Sequence, residues 1–566
     1  MKKYIITFGV LITLFISLLY VSLLFSDSKI KSNVTKSLET YNFYDNHKYN
    51  IYIDNYTDMI ILNVMTYKSG NTFTKRVFGN EYGYLNTYYN NDKLPYWNQY
   101  ENLKASLNNM NDSSVFYGRY WHGNQILLRP LLSFTTYQES LKILSFIGII
   151  IIIISLVLVF KKMGFKFLII YILGLLLMNI YIYYTCYQYL LTYLLTIICI
   201  NFILILYDEN KDMSYYFFII GSLTTYFLFV SFPLITLCFP LIMILYLKFV
   251  NGKYNNYKEN LLFVIKSSIN WLVGYIIFFS IKWILGYLIG VDILSDAFMS
   301  VSQRLGVTFS FSYIDVLKLN LTKFFDNYFN IFITFISIVL LIFGLLKNTS
   351  TKLKIFSPFI LISIMPFIWL FVINNHSAIH YWMVYRLFAI TIFSFLVIDL
   401  LIFNKKIKYD TNVKFNKKEY IITASFIIFL IFYKYPIISF ILLLIIFIIS
   451  NKFLNIKNIK IILVLLIVDL GVFSITFISD NTLNKNDFFK DLYNELYYRA
   501  IQYGEDYVKK NNVPNNTKIN IKDLITDINN ASVLLYECDG YIEYKENTVK
   551  PYINCKNIYV TEGYTK

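Results

Sequence analysis

Apolar and polar positions in this chain are segregated at the scale of whole segments. Runs of about 20 residues rich in Ile, Leu, Phe and Tyr recur along its length, and each is long enough to cross a lipid hydrocarbon core as a helix. The first covers 4–25, directly behind Met1-Lys2-Lys3. It lacks a small-residue cleavage site, which predicts an uncleaved helix rather than a removable signal. Further runs fall near 142–160, 167–184, 188–206, 214–232, 234–249, 261–288, 328–346, 355–373, 386–403, 420–433, 436–450 and 460–478. About thirteen spans are therefore predicted.

Three stretches break this rhythm and are predicted to lie outside: residues 26–141, a middle loop near 290–327 and the tail after about 480. Residues 26–141 are too polar to span and too long for a simple connection, so this region is predicted to fold against the membrane. Its segments near 56–65 and 118–134 are predicted as short interfacial helices rich in the Trp and Tyr that favour the headgroup level. After about 480 the tail carries a helical pattern over 487–510, stopped by Asn511-Asn512-Val513-Pro514. A helix near 521–528 and strands near 532–536 and 541–544 follow. The fold class is an all-α polytopic membrane protein with a long external first loop and a small α+β C-terminal external domain. Its parts are a first helix (1–25), the external loop (26–141), the bundle (142–479) and the tail domain (480–566).

Charge gives the orientation. The basic connections at 161–166, 248–258, 347–354, 405–418 and 452–460 all fall on one side of this count, and the positive-inside rule makes that side cytoplasmic. The acidic connection Tyr207-Asp208-Glu209-Asn210-Lys211-Asp212 also falls inside, but acids carry little topological weight. A multi-pass cell-membrane protein with its N-terminus inside and its C-terminus outside is predicted. All four histidines, His47, His122, His376 and His380, then lie on the external side. A composition of 57% hydrophobic and 15% charged residues excludes an ordinary soluble domain. The net charge of +16 does not point to nucleic acid, because the lysines sit in the short inner connections. No phosphate-binding loop, dinucleotide fingerprint or nucleophile elbow occurs, and the inner connections leave no room for a nucleotide-binding domain. An activated donor would therefore arrive through the membrane as a lipid.

Several external residues have chemistry to offer. Asp54 and Asp58, four apart, share one face of a helix, where they can hold a divalent cation or supply a general base; Asp54 is equally a helix N-cap. Tyr117-Gly118-Arg119-Tyr120-Trp121-His122, with Arg129-Pro130 beyond, combines cationic forks with aromatic rings that can stack on sugars or rest at the lipid interface. His376 and His380, in Asn374-Asn375-His376-Ser377-Ala378-Ile379-His380, precede Arg386 at the outer end of a span; four apart, they can share a helical face and bind metal, donate to phosphate or hydroxyl groups, or serve simply as interfacial residues. Lys282 near an outer helix end, with Arg304 beyond it, can neutralise a lipid phosphate or simply snorkel. Asp469, inside the last predicted span, should face the bundle. Cys538 and Cys555 are the two external cysteines of the tail and are predicted to form a disulfide. No metal-ligand spacing is present among the cysteines.

This plan of a first span, a long acidic external loop, many further spans and an external C-terminal domain resembles the GT-C class of membrane glycosyltransferases. The resemblance implies an enzyme that moves a sugar from a polyprenyl-phosphate donor to an extracellular glycan, lipid or protein acceptor. It implies Asp54 or Asp58 as base or metal ligand, though both stand well beyond the first span. Under it Arg304, Lys282 and Arg386 serve the phosphate, Arg119 and Arg129 assist, and Trp121, His122, His376 and His380 orient the sugar. Tyr120-Trp121-His122-Gly123 with Arg129-Pro130, Pro233 and Pro240, Lys282-Trp283, and Asn375-His376-Ser377 with His380 and Arg386 also resemble multispanning membrane proteins of Gram-positive bacteria that have no assigned activity. The acidic residue such proteins carry near the position of Leu228 is missing here. A transporter or flippase, and a non-catalytic surface-assembly protein acting through its tail, are the competing classes. Internal repeats and paired midplane charges, which a transporter predicts, are not found.

Overall fold

In the computed structural model, residues 2–403 are described apart from 44–46, 49–50, 68–69, 85–98, 112, 231, 254–255, 307–310 and 346–348. Residues 436–452, 511–521, 538–546, 548–555 and a few single positions between 421 and 509 complete the described set. Seven of the described helices are long and apolar enough to cross a membrane: Lys2–Ser22, Tyr137–Met163, Tyr187–Leu206, Tyr257–Leu288, Tyr328–Leu345, Lys352–Val372 and Tyr381–Ile402. Phe165–Leu177, Leu234–Val250 and Ile438–Ile449 are apolar but shorter. The predicted spans near 420–433 and 460–478, together with Asp469, lie outside the described residues.

Two predicted spans are interrupted rather than continuous. The run expected over 167–184 is helical only over Phe165–Leu177; Asn179 then turns left-handed (φ 59) and a 3-10 turn follows at Ile180–Ile182. The run expected over 214–232 is an α-helix only over Tyr216–Phe227, and Leu228 is extended. Hydropathy measures the apolar length of a segment, but a left-handed Asn ends a helix whatever surrounds it.

The chain divides into two compact units, one of residues 1–296, 320–369 and 382–413, the other of 297–319, 370–381 and 414–566. In the first unit the loop after the first span is not a surface decoration. Helix Asn55–Thr66, expected at the interface, is buried along almost its whole length. Strands Glu81–Tyr84 and Ser113–Phe116 pair antiparallel, and Asn63 clips onto this ribbon, its amide donating to Gly83 O at 2.8 Å and its carbonyl oxygen accepting from Gly83 N at 3.3 Å. Val77, Phe78 and Trp121 of the loop share one apolar cluster with Phe15 and Leu19 of the first span and with Phe218, Tyr226 and Phe278 of later ones. Phe15 stacks on Tyr226 at 3.9 Å between centroids.

Helices Tyr216–Phe227 and Tyr257–Leu288 pack backbone to backbone. A Cβ at Gly221 would stand 2.0 Å from Trp271 O, and one at Gly274 would stand 2.3 Å from Phe218 O. Thr225 Oγ1 donates to Tyr275 O at 2.8 Å across the same seam. Small residues let helices approach this closely where no hydrophobic effect drives association. Elsewhere in the unit, Ser337 Oγ donates to Asp399 Oδ2 at 2.8 Å between two spans, giving a buried carboxylate a partner. In the second unit, strands Thr517–Asn520, Cys538–Lys545 and Thr548–Cys555 form a three-stranded antiparallel sheet with Ile519 and Ile542 opposed and buried.

Replacing Gly221 or Gly274 by Val should separate this helix pair at a cost of about 1–3 kcal/mol or more. The check is the melting midpoint and monodispersity of the purified protein in detergent; Gly9→Val, where no atom lies within 4 Å of the added Cβ, should leave both unchanged.

Candidate functional site

Asp54 and Asp58 open helix Asn55–Thr66 and have separate duties. Asp54 is its N-cap, Oδ1 accepting from Thr57 N at 3.1 Å. Asp58 faces another helix: its Oδ2 accepts from Tyr137 Oη at 2.6 Å and Tyr187 N at 2.7 Å, and its Oδ1 from Gln188 N at 3.3 Å. Tyr187 and Gln188 are the first residues of Tyr187–Leu206, whose own N-cap residue, Cys186, gives no side-chain cap. Asp58 therefore caps that helix from outside it, satisfying backbone donors that would otherwise be orphaned in the interior. Three donors converge on its two oxygens, which is not the environment of a cation ligand, so the pair is not built as a metal clamp. Among the described residues no three His, Cys, Asp or Glu side chains form a metal-holding group.

Both acids are buried, at 3% and 0% exposed. Burial pushes Asp54 up to about 6, against the Thr57 donors and the positive charge of Arg386. Burial likewise pushes Asp58 up to about 7 in spite of the Tyr137 and Tyr187 donors, and the Asp54 charge adds to the rise.

Arg386 is the cation that Asp54 senses. It sits in the 3-10 turn Tyr385–Leu387 that leads into helix Phe388–Ile402 and is fully buried. Its guanidinium lies 4.5 Å from the Tyr189 ring, 4.9 Å from Tyr385 and 5.6 Å from Phe232. Nη1 donates to Trp382 O at 3.3 Å and Met383 O at 3.2 Å. Nε and Nη2 find no well-aligned acceptor among the described residues. The Tyr189 hydroxyl gives its proton to Tyr52 O at 2.7 Å, which leaves its oxygen turned to the guanidinium as an acceptor. The edge left open is the Nε/Nη2 fork, which can engage two oxygens of one phosphate or carboxylate. Tyr52, two residues before Asp54, packs its ring on Trp382 at 4.3 Å. Asn179 Nδ2 donates to the Tyr385 hydroxyl at 2.6 Å, so the interrupted helix end helps to fix the Arg386 turn.

Other nominated residues belong to different places. Arg119, Trp121, His122 and Lys282 form a second cluster. Arg119 pairs with Asp296 at 2.5 Å and lies 4.2 Å from the Tyr117 ring, with its Nε lacking a partner among the described residues. Trp121 is a core residue, donating from Nε1 to Phe278 O at 2.7 Å, rather than a sugar platform. Lys282 is fully buried, donates to Val77 O at 2.8 Å and lies 5.0 Å from the Phe78 ring. His122 adopts a left-handed backbone (φ 55). Burial, then the charge of Lys282, brings its pKa down to about 3, so it is a neutral group at physiological pH. Its Nε2 lies 3.2 Å from Tyr117 O, which makes Nε2 the protonated nitrogen.

Arg129 is committed to structure. Nε donates to Ser22 O at 2.9 Å, Nη1 to Met65 O at 3.0 Å, and Nη2 to Phe25 O at 3.3 Å and to Asp27. Asp27 also takes a two-pronged contact from Arg76, at 3.0 and 2.9 Å. Each of its three nitrogens already donates to the protein, which makes Arg129 a brace between the loop and the first span. In the second unit, the His376 and His380 rings stand 4.5 Å apart at the helix Asn374–Ile379, and Arg304 donates to Ser300 O at 3.0 Å.

Tyr189, Tyr385 and Trp382, which line the Arg386 turn, were not nominated from the sequence. The Tyr187-Gln188-Tyr189 start of a span carried a signal, since aromatic residues at a span's edge beside a potential cation can form its walls. No family model, characterised protein or solved structure matches the chain.

Asp54 and Asp58 have folded pKa values of about 6 and about 7, above the unfolded value of about 3.9. The native state therefore holds protons that the unfolded chain releases. Their contribution is complete below about pH 4 and is lost as pH rises through 6 to 7. The melting midpoint in detergent should fall between about pH 4 and about pH 8, and Asp54→Asn should remove roughly 2–3 kcal/mol of that dependence. An identical pH profile in the variant would show that Asp54 is not desolvated.

Proposed function

We propose that this chain is a membrane glycosyltransferase that moves a sugar from a polyprenyl-phosphate donor to an acceptor outside the cytoplasm. The observation that carries the reading is the open Nε/Nη2 edge of a fully buried Arg386 within the electrostatic reach of Asp54. A buried guanidinium whose Nε and Nη2 meet no more than the Tyr189 hydroxyl oxygen is costly unless an anion completes it, and the phosphate of a lipid-linked sugar supplies two oxygens at the required spacing. The rings of Tyr189, Tyr385 and Phe232 exclude water from the guanidinium and strengthen its hold on charge.

In this reading Asp54 accepts the proton of the acceptor hydroxyl as that oxygen attacks the anomeric carbon. The bond from carbon to phosphate oxygen breaks, and the departing lipid phosphate keeps both electrons and remains on Arg386. A carboxyl lifted to about 6 suits a base working near neutrality. Asp58, fully engaged by Tyr137, Tyr187 and Gln188, positions the loop instead of touching substrate. The Trp382–Tyr52 pair offers aromatic surface for the sugar. The same reading takes the chain to span the cell membrane about thirteen times, with the loop and tail outside; the acceptor is a glycan, lipid or protein, and no nucleic acid takes part.

Comparison of lipid-linked sugars and surface glycans in cells with and without the gene identifies donor and product. In membranes, Asp54→Asn should lower transfer by about 10²–10⁴-fold while donor binding persists. Arg386→Gln should chiefly weaken donor binding, and Arg386→Lys should restore little of it because a point charge cannot replace the fork. Undiminished transfer by Asp54→Asn overturns the assignment of the base, and undiminished donor binding by Arg386→Gln overturns that of the phosphate site.

A further inference from the structure

The tail carries two cysteines whose backbone placement was fixed by strand pairing. Strand Cys538–Lys545 runs antiparallel to Thr548–Cys555, and the register sets Lys545 opposite Thr548, Tyr541 opposite Tyr552, and Cys538 opposite Cys555. Directly opposed residues of an antiparallel pair stand about 4.5 or 5.5 Å apart at Cα, inside the range of about 4.4–6.8 Å that a disulfide spans. Opposed positions also share one face of the sheet. Counting by twos from the opposed pair Gly540 and Ile553, positions 538 and 555 fall on the face of the buried Ile542 and Ile553.

The strands are drawn close at this end. Gly540 lies between Cys538 and Ile542 with φ 135, and a Cβ there would stand 2.0 Å from Tyr552 O, so only glycine allows the approach. The three other cysteines do not compete: Cys186, Cys199 and Cys238 are buried, the latter two inside apolar helices.

We infer that Cys538 and Cys555 are joined by a disulfide that clasps the open end of this hairpin, and that the tail therefore lies in an oxidising compartment outside the cytoplasm. One sulfur–sulfur bond forms and two S–H bonds break. The two electrons and the two protons pass, through a mixed disulfide, to the disulfide of an extracytoplasmic protein thiol oxidant, which becomes a dithiol. The cytoplasm would keep the pair reduced, so the bond also reports the sidedness of the chain.

The test uses the full chain in its native membrane. Intact cells are treated with iodoacetamide, and the protein is then denatured in more of the reagent, digested without reductant and read by mass spectrometry. The expected product is one linked peptide pair carrying Cys538 and Cys555, unalkylated and lighter by two hydrogens than its separated halves. Cys538→Ser should convert Cys555 to the alkylated form. After brief reduction of intact cells, a membrane-impermeant maleimide should label both cysteines. Recovery of both as alkylated free thiols from the unreduced protein overturns the bond, as does linkage to any other cysteine. Labelling only after permeabilisation overturns the placement outside. The wild-type measurement decides the question even if the serine variant does not fold.

Discussion

The packing of the first loop against the spans depends on one buried carboxylate. Asp58 belongs to the first loop, yet its oxygens are the acceptors for the first two backbone donors of Tyr187–Leu206 and for the Tyr137 hydroxyl. Without it, three buried donors lose their partner, each at a cost of about 1–3 kcal/mol. An asparagine is a poor substitute, because one of its two polar atoms would present N–H groups to donors. The contact also fixes distances elsewhere. It holds the loop segment bearing Tyr52 and Asp54 against the helix bearing Tyr189, and Tyr189 in turn walls Arg386.

The contrast among buried cations gives Arg386 its meaning. Arg129 and Lys282 are as deeply buried, but all three nitrogens of Arg129 donate to backbone carbonyls or the Asp27 carboxylate, and Lys282 donates to Val77 O. They hold the loop to the spans. Arg386 uses Nη1 to fix its own turn and leaves its fork edge open. This incomplete pairing of a fully buried guanidinium is the observation on which the proposed reading of Arg386 rests.

Much of this was legible in the sequence. Segment-scale hydropathy located most described spans, the acid spacing at Asp54 and Asp58 found a true helix start, and Arg386 was recognised at the head of its span. The failures have a common physical origin. Trp121, Arg129 and Lys282 have the composition of an interfacial belt, but the same residue types serve equally in a core when backbone acceptors are supplied from distant segments. Such acceptors, Phe278 O, Ser22 O and Val77 O, carry no mark in the sequence. Helix continuity was overread at Asn179 and Leu228 because an apolar run does not reveal a backbone break. The intramembrane acid Asp399 went unnoticed beside Asp469, although its partner is only a serine on a neighbouring span.

The cap on Tyr187–Leu206 also imposes an order of assembly. Asp58 precedes the amides it accepts from by about 130 residues of chain, so at a synthesis rate of about 5–20 residues per second it waits many seconds for them. During that time the loop holds a desolvation-prone acid with no partner, and it cannot close until two further apolar helices have been inserted. The first loop is thus completed by a segment made after it. A chain ended before Tyr187 would leave Asp58 without its two backbone donors and the loop unlatched.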